Sequence, residues 1–202
     1  MFIEILIAFV GIITIMNPVG TTFILDSMTR GCDVGFKTKL VNRAILSSFI
    51  ILTLFYLFGP GLLSVFGISS YAFSAAGGVY LLHVSLGMLG QNLWKSPEDY
   101  EGATMESAIV PLSVPLVAGP GTLTTVITLS SGNGLFVMLP AIVLSLVLAW
   151  LLFYNSRNIV RVFGDMGSKV VERIFGLILL AISAELIFSG VAEFIIVNGL
   201  EE

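Results

Sequence analysis

Polar interruptions are few along this chain, and they are widely spaced. From Ala44 to Trp94 there is no Lys, Arg, Asp or Glu, and from Ser107 to Ser156 there is none either. One bilayer crossing takes about 20 apolar residues, so each stretch can hold two crossings and a turn. With the flanking apolar runs, the pattern predicts six membrane-spanning helices, at roughly 3–28, 43–64, 71–92, 107–131, 135–155 and 174–197. The sixth is the least apolar, because it carries Glu185 and Glu193. The first run has no Lys or Arg before it and outlasts a secretory signal, so it is expected to stay as a span.

Basic residues fall where turns on one face would lie. Arg30, Lys37, Lys39 and Arg43 sit between the first two predicted spans, Lys95 between the third and fourth, and Arg157, Arg161, Lys169 and Arg173 between the last two. Positive loops stay in the cytoplasm, which predicts a multi-pass protein of the cell membrane with both termini outside. Another span count would scatter these charges over both faces.

The two halves also repeat each other. Asn17-Pro18-Val19-Gly20-Thr21-Thr22 aligns with Gly119-Pro120-Gly121-Thr122-Leu123-Thr124, Val65-Phe66-Gly67 with Val162-Phe163-Gly164, and Gly78-Val79-Tyr80-Leu81-Leu82 with Gly176-Leu177-Ile178-Leu179-Leu180. Three spans per half would place the halves upside down relative to one another. The expected fold is an all-α membrane protein, one transmembrane domain over 1–202. Its six helices form two inverted three-helix repeats, 1–94 and 107–202, joined by a cytoplasmic loop at 95–106.

Helices 1 and 4 are expected to break near the midplane. A proline inside a helix removes a hydrogen bond and clashes with the preceding turn. Asn17 suits an N-cap and Pro18 the first helical position, so a second half-helix can start there. Gly119 and Pro120 repeat the arrangement, and Pro111 and Pro115 loosen the segment before it. The two half-helix N-termini would then offer free N–H groups, from Val19, Gly20 and Thr21 and from Gly121, Thr122 and Leu123, to a small anionic group. Carbonyls of the first half-helices could take an ammonium. Thr21, Thr22, Thr122, Thr124 and Thr125 add hydroxyls, and Gly20, Gly119 and Gly121 allow close approach. The composite is a pocket for a small zwitterion, lined by Asn17, Pro18, Gly20, Thr21, Thr22, Gly119, Pro120, Gly121, Thr122 and Thr124.

Composition narrows the alternatives. Of 202 residues, 56% are hydrophobic and 11% charged, with a mean hydropathy of +1.03, far from a soluble domain's usual quarter charged. The partners implied are the lipid bilayer and a small molecule; a sequence pI near 4.9 excludes nucleic acid. Cys32 is alone, so there is neither an internal disulfide nor a cysteine metal site. No cofactor or metal is expected. No nucleotide-binding loop motif occurs, so transport would run on a gradient, with H+ or Na+ as the coupling ion.

Asn17-Pro18-Val19-Gly20 and the stretch from Ala108 through Pro111, Pro115 and Gly119 to Thr122 resemble the signature segments of the MarC family of integral membrane proteins, which includes SnatA-type neutral amino-acid transporters. The resemblance extends over the chain in length, span count and repeat. It implies that Asn17, Pro18, Gly20, Gly119, Pro120 and Gly121 surround a substrate. The family pattern has a second proline six residues after the Asn; here that position is Phe23, which bears on the shape of the pocket.

His83 and Glu185 lie mid-span at corresponding places in the repeat. Ionisable groups inside a membrane are costly and usually face the bundle interior. Glu185 is a candidate proton carrier with His83 as its partner, against the plainer reading of two satisfied interior groups. Asp26 reads as a helix end, and Glu98-Asp99-Tyr100-Glu101 as a solvated loop. Gly77, Gly78, Gly87 and Gly90 suit close helix packing, and Trp94 and Trp150 an interface.

A secondary transporter of neutral amino acids by alternating access accounts for most of these features. A membrane assembly or stress-response protein, or an exporter of another small polar solute, is the rival. An enzyme is not expected, and no catalytic residue is assigned. There is one histidine, and Ser85, two residues from His83, falls on another helix face.

Overall fold

The computed structural model describes residues 1–90, 104–130 and 132–199, and among these every regular element is helical. The acidic segment 98–101, Trp94, Lys95 and most of the connecting loop fall outside the described residues.

The first apolar run divides as its Asn-Pro pair requires. α1 (Phe2–Met16) stops at Asn17, and α2 (Pro18–Met28) begins at once. Proline disfavours the right-handed helical region for the residue before it. Asn17 adopts φ 45°, ψ 57° instead, the left-handed well that asparagine tolerates better than most side chains.

α3 (Val34–Val65) starts about nine residues before the predicted span, because Asp33 caps it by accepting the Gly35 N–H at 2.8 Å. The basic residues Lys37, Lys39 and Arg43 therefore lie on the helix and not in a loop. It ends where Gly67, at φ 65°, donates to Ser64 O and Ile68 donates to Leu63 O, a glycine-terminated C-cap. α4 (Ser70–Met88) is capped by Ser69. α6 (Leu135–Tyr154) matches its predicted span, while α7 (Ser156–Gly199) runs far beyond its own, with a bend at Gly164, φ 67°. Gly67 and Gly164 belong to the repeated Val-Phe-Gly triplets, so the left-handed backbone explains why glycine closes both.

The fourth predicted span is the least regular. A 3-10 turn (Met105–Ala108) leads into a π-helical stretch (Ile109–Val117), followed by α5 (Pro120–Ser130). Val110 and Val114 each precede a proline, and both have extended dihedrals near φ −124°, ψ 119°, as the clash with the proline ring demands.

Among the described residues, four stretches are long and apolar enough to cross a membrane: Phe2–Met28, Val34–Val65, Leu135–Tyr154 and Met166–Val197. α4 falls short on composition, being diluted by Gly77, Gly78, Ser85 and His83, and Met105–Ser130 is in three pieces. Large apolar side chains such as Leu54, Phe58, Val147, Phe188 and Ile195 are exposed along these helices, a surface made for lipid and not for water. The chain is an all-α membrane protein.

One core joins α1, α3 and α6 through Ile12, Met16, Leu40, Leu52, Met138 and Phe153. A second joins α2, α4 and α7 through Ile24, Met28, Leu81, Met88 and Leu179. α2 packs on α6 and α7, α5 on α3 and α4, and α4 against α7 makes the most extensive contact. That contact depends on missing side chains. A Cβ on Gly78 would meet Ile187 and Ser183 O, one on Gly176 would meet Met88 and Leu89, and one on Gly190 would meet Tyr71 O. Gly87 has open space, so it does not serve the packing expected of it.

At the charged end, Lys37 Nζ donates to Asp26 Oδ1 at 3.2 Å, with only 7% and 13% of the two side chains exposed. Asp26 thus fastens α2 to α3, and the plain helix end read from sequence becomes a paired carboxylate. Asp26→Asn is expected to cost about 1–2 kcal/mol, since it weakens a charge-assisted bond and leaves a cation with little solvent. A thermal midpoint equal to that of the native chain would show that the pair contributes nothing.

Candidate substrate site at the helix breaks

The break in the first span organises itself. Asn17 Oδ1 accepts the Gly20 N–H at 3.2 Å, and Asn17 O accepts both the Thr21 N–H at 3.1 Å and the Thr21 hydroxyl at 3.2 Å. Two of the three N–H groups expected to be free there are therefore used by Asn17 itself. Pro18 has none to give, and the N–H of Val19 is left from the first turn.

The second break is built differently. Ala118 N–H donates back to Ser113 O at 2.8 Å, the π-helical bond, and Leu123 N–H donates to Gly119 O at 2.8 Å. Leu123 is thus also removed from the expected free donors. Gly121 and Thr122 precede the first helical bond and have no intrahelical partner. Gly119, having no side chain, cannot repeat the Asn17 cap.

Four of the five threonines return their hydroxyl protons to the carbonyl four residues back: Thr21 to Asn17, Thr22 to Pro18 at 2.7 Å, Thr124 to Pro120 and Thr125 to Gly121, both at 2.9 Å. This local pattern is common for threonine in helices. Thr122 is buried.

The two breaks approach each other. A Cβ built on Gly121 would lie 2.9 Å from Ile15 Cγ2 and 2.8 Å from Leu81 Cδ1, and one on Gly77 would lie 3.2 Å from Pro120. Ile15 and Leu81 also line a small cavity with Asn17, Thr21, Leu116 and Leu179, of about 20 Å³. That is room for about one water, whereas small-molecule sites commonly exceed 300 Å³. The candidate residues Asn17 and Thr21 thus share one closed space, with Gly121 against its wall. Pro18, Gly20 and Thr22 follow on α2, and Pro120, Thr122 and Thr124 on α5.

Phe23 is buried and meets Phe163 edge-on at 6.0 Å. It anchors α2 to the bend of α7, while α2 continues unbroken. A buried hydroxyl pair escaped the sequence reading: Ser48 and Ser113 lie 2.9 Å apart, both fully buried, and join α3 to the π-helical stretch. Serines inside a charge-free run were its only signal.

The interior placement expected for His83 and Glu185 is not what the structure has. Both are exposed on the outer surface, neither lines the cavity, and Glu185 Oε1 accepts the Ser189 hydroxyl at 3.4 Å. Opposed depth along two helices does not fix the azimuth of a side chain.

A model of the MarC family of integral membrane proteins matches residues 2–195. The UPF0056 membrane protein YhcE of Escherichia coli (strain K12) is 35% identical over 91% of this chain and 89% of its own length. The UPF0056 membrane protein MJ1677 of Methanocaldococcus jannaschii is 32% identical over 92% and 95%, and YvbG of Bacillus subtilis (strain 168) is 28% identical over 94% and 95%. These names give no substrate. No solved structure matches the chain. A match along nearly the whole chain, together with the broken first and fourth apolar segments, makes this protein a member of the MarC family of integral membrane proteins.

Proposed function

We propose that the chain is a secondary transporter of small neutral amino acids, of glycine or alanine size, and that it works by alternating access with the zwitterion held between the N-termini of α2 and α5. The carrying observation is the matched pair of breaks: two eleven-residue half-helices, each opening on proline, whose starts share the Ile15 and Leu81 wall. The reading takes six spans in two inverted repeats. Three features support it. α2 and α5 have exchanged packing partners. Gly67 and Gly164, both at positive φ, fall in matching triplets. Gly176 also stands 98 residues after Gly78, while their contacts Leu89 and Ile187 are separated by the same 98. Nothing in the geometry links Glu185 or His83 to the cavity, so the proposal includes no proton relay through them.

The 20 Å³ cavity favours one rival, a non-transporting membrane component, because a closed space of that size holds no amino acid. Alternating access requires the same cavity to open in another state. Gly121→Trp cannot separate the two, since even a methyl group there is crowded. Thr21→Val is better suited, because it keeps shape and removes a hydroxyl from the cavity wall. Glycine or alanine at millimolar concentration is expected to raise the thermal midpoint of the detergent-solubilised chain, and Thr21→Val to remove that shift while folding normally. The dependence of the shift on pH or Na+ then names the coupling ion. No shift with any small amino acid, and no uptake into proteoliposomes, would overturn the transporter reading.

A further inference from the structure

We infer that the seam between α3 and the α6–α7 junction is a binding site for one anionic glycerophospholipid. The inference is independent of what the chain transports.

Two cavities lie end to end along this seam. The first, of about 250 Å³, is lined by Lys37 and Thr38 of α3 and by Tyr154, Asn155, Arg157 and Asn158. Its wall carries the Arg157 guanidinium and the stem of Lys37, whose ammonium is paired with Asp26 behind it, and no carboxylate. Arg157 is held in place by donating Nη2 to Cys32 O at 3.1 Å, which leaves the rest of its planar fork for a phosphate. Amide and hydroxyl donors beside it suit phosphodiester and glycerol oxygens.

The second cavity, of about 380 Å³, is almost wholly apolar and is lined by Ile45, Phe49, Leu146, Val147 and Trp150, with Asn42 at its rim. The lining positions of α3 in both cavities follow one stripe, recurring every three or four residues from Val34 to Phe49, and those of α6 continue it on the facing side. Trp150 Nε1 donates to Asn42 Oδ1 at 2.8 Å and its ring stacks on Tyr154 at 5.3 Å. This places the aromatic pair at the boundary between the polar and apolar parts, where tryptophan and tyrosine sit in membranes. On α3 the apolar trough runs from Asn42 to Phe49, a rise of roughly 10 Å, about two-thirds of the roughly 15 Å depth of one leaflet of hydrocarbon. A pocket holding the Arg157 guanidinium, followed along the same helix stripe by an apolar trough, fits a headgroup and the upper part of its acyl chain together. Neither a free anion nor an uncharged lipid would use both parts, and basic pockets between membrane helices commonly hold anionic headgroups.

The test is the thermal midpoint of the detergent-solubilised full chain, titrated with phosphatidylglycerol, with phosphatidylcholine of the same acyl chains, and with inorganic phosphate. Phosphatidylglycerol is expected to stabilise far more than phosphatidylcholine, and millimolar phosphate not at all. Arg157→Gln is expected to weaken the phosphatidylglycerol response about tenfold, as for the loss of one charge-assisted bond. Should that variant fold poorly through loss of the Cys32 contact, Asn158→Asp serves instead. It places a carboxylate in the pocket wall at an exposed position, and the same weakening is expected. Val147→Trp, filling the trough, is expected to weaken the response with the headgroup pocket intact. Equal responses to the two lipids, a full response to phosphate alone, or an unchanged phosphatidylglycerol response in Asn158→Asp would each overturn the site.

Discussion

Gly190→Val is expected to lower the thermal midpoint by roughly 6–12 °C, taking about 3 kcal/mol of overpacking and 2–4 °C per kcal/mol for a chain of this size. A Cβ at this position would lie 2.6 Å from Tyr71 O, 2.9 Å from Ala75 Cβ and 3.0 Å from Ala75 N. Two of these three atoms are backbone, so no rotamer change can clear them, and α4 and α7 must separate along their main contact. Membrane helices gain little from burying apolar area against each other, because lipid is equally apolar; close packing is what holds them. Gly87→Ala is the internal control. It lies on the same α4 with nothing within 4 Å, and alanine in a helix is favoured over glycine by up to about 1 kcal/mol. A midpoint for Gly190→Val within a degree or two of the native value would mean that the α4–α7 contact is not as close as described.

The second large effect is expected at Asn17, and its signature is an order of stabilities. Alanine there loses the side-chain cap, worth about 1 kcal/mol, and must also adopt φ 45°, at roughly 1–2 kcal/mol. Glycine loses the cap but enters the left-handed region freely. Asn17→Ala is therefore expected to destabilise by about 2–3 kcal/mol and Asn17→Gly by less than half of that. Thermal or denaturant midpoints decide it. If alanine matched asparagine, neither the cap nor the dihedral would matter; if glycine were worse than alanine, the left-handed conformation would be the wrong account.

How far the chain could be read from its sequence depended on whether the signal was local. The break after Met16 was legible, because proline acts on its immediate neighbours and asparagine is one of few residues able to absorb the result. The early start of α3 was not, since the Asp33 cap competes with a hydropathy boundary about nine residues later and hydrogen bonding prevails. The π-helical stretch was announced only as looseness around Pro111 and Pro115. Which register the backbone chooses depends on Ser113, whose carbonyl takes the Ala118 N–H and whose hydroxyl meets Ser48 across the bundle. His83 and Glu185 were expected inside the bundle and lie on its outer surface, because hydropathy carries almost no information on rotation about the helix axis when the whole surface is apolar.

The back-bonded threonines carry a consequence of their own. A hydroxyl that spends its single proton on a carbonyl of its own helix turns only lone pairs to its surroundings. Thr21, Thr22, Thr124 and Thr125 therefore act around the two breaks as acceptors. The donors left there are the backbone amides of Val19, Gly121 and Thr122, with the Asn17 side-chain amide and the Thr122 hydroxyl beside them. The polarity of the place is thus fixed by the backbone register and not by any ionised side chain: amide protons at the helix starts, oxygen lone pairs one turn later. A solute would be sorted by the order of its charged ends before its side chain was felt, and a change of pH within the ordinary range would leave that polarity untouched.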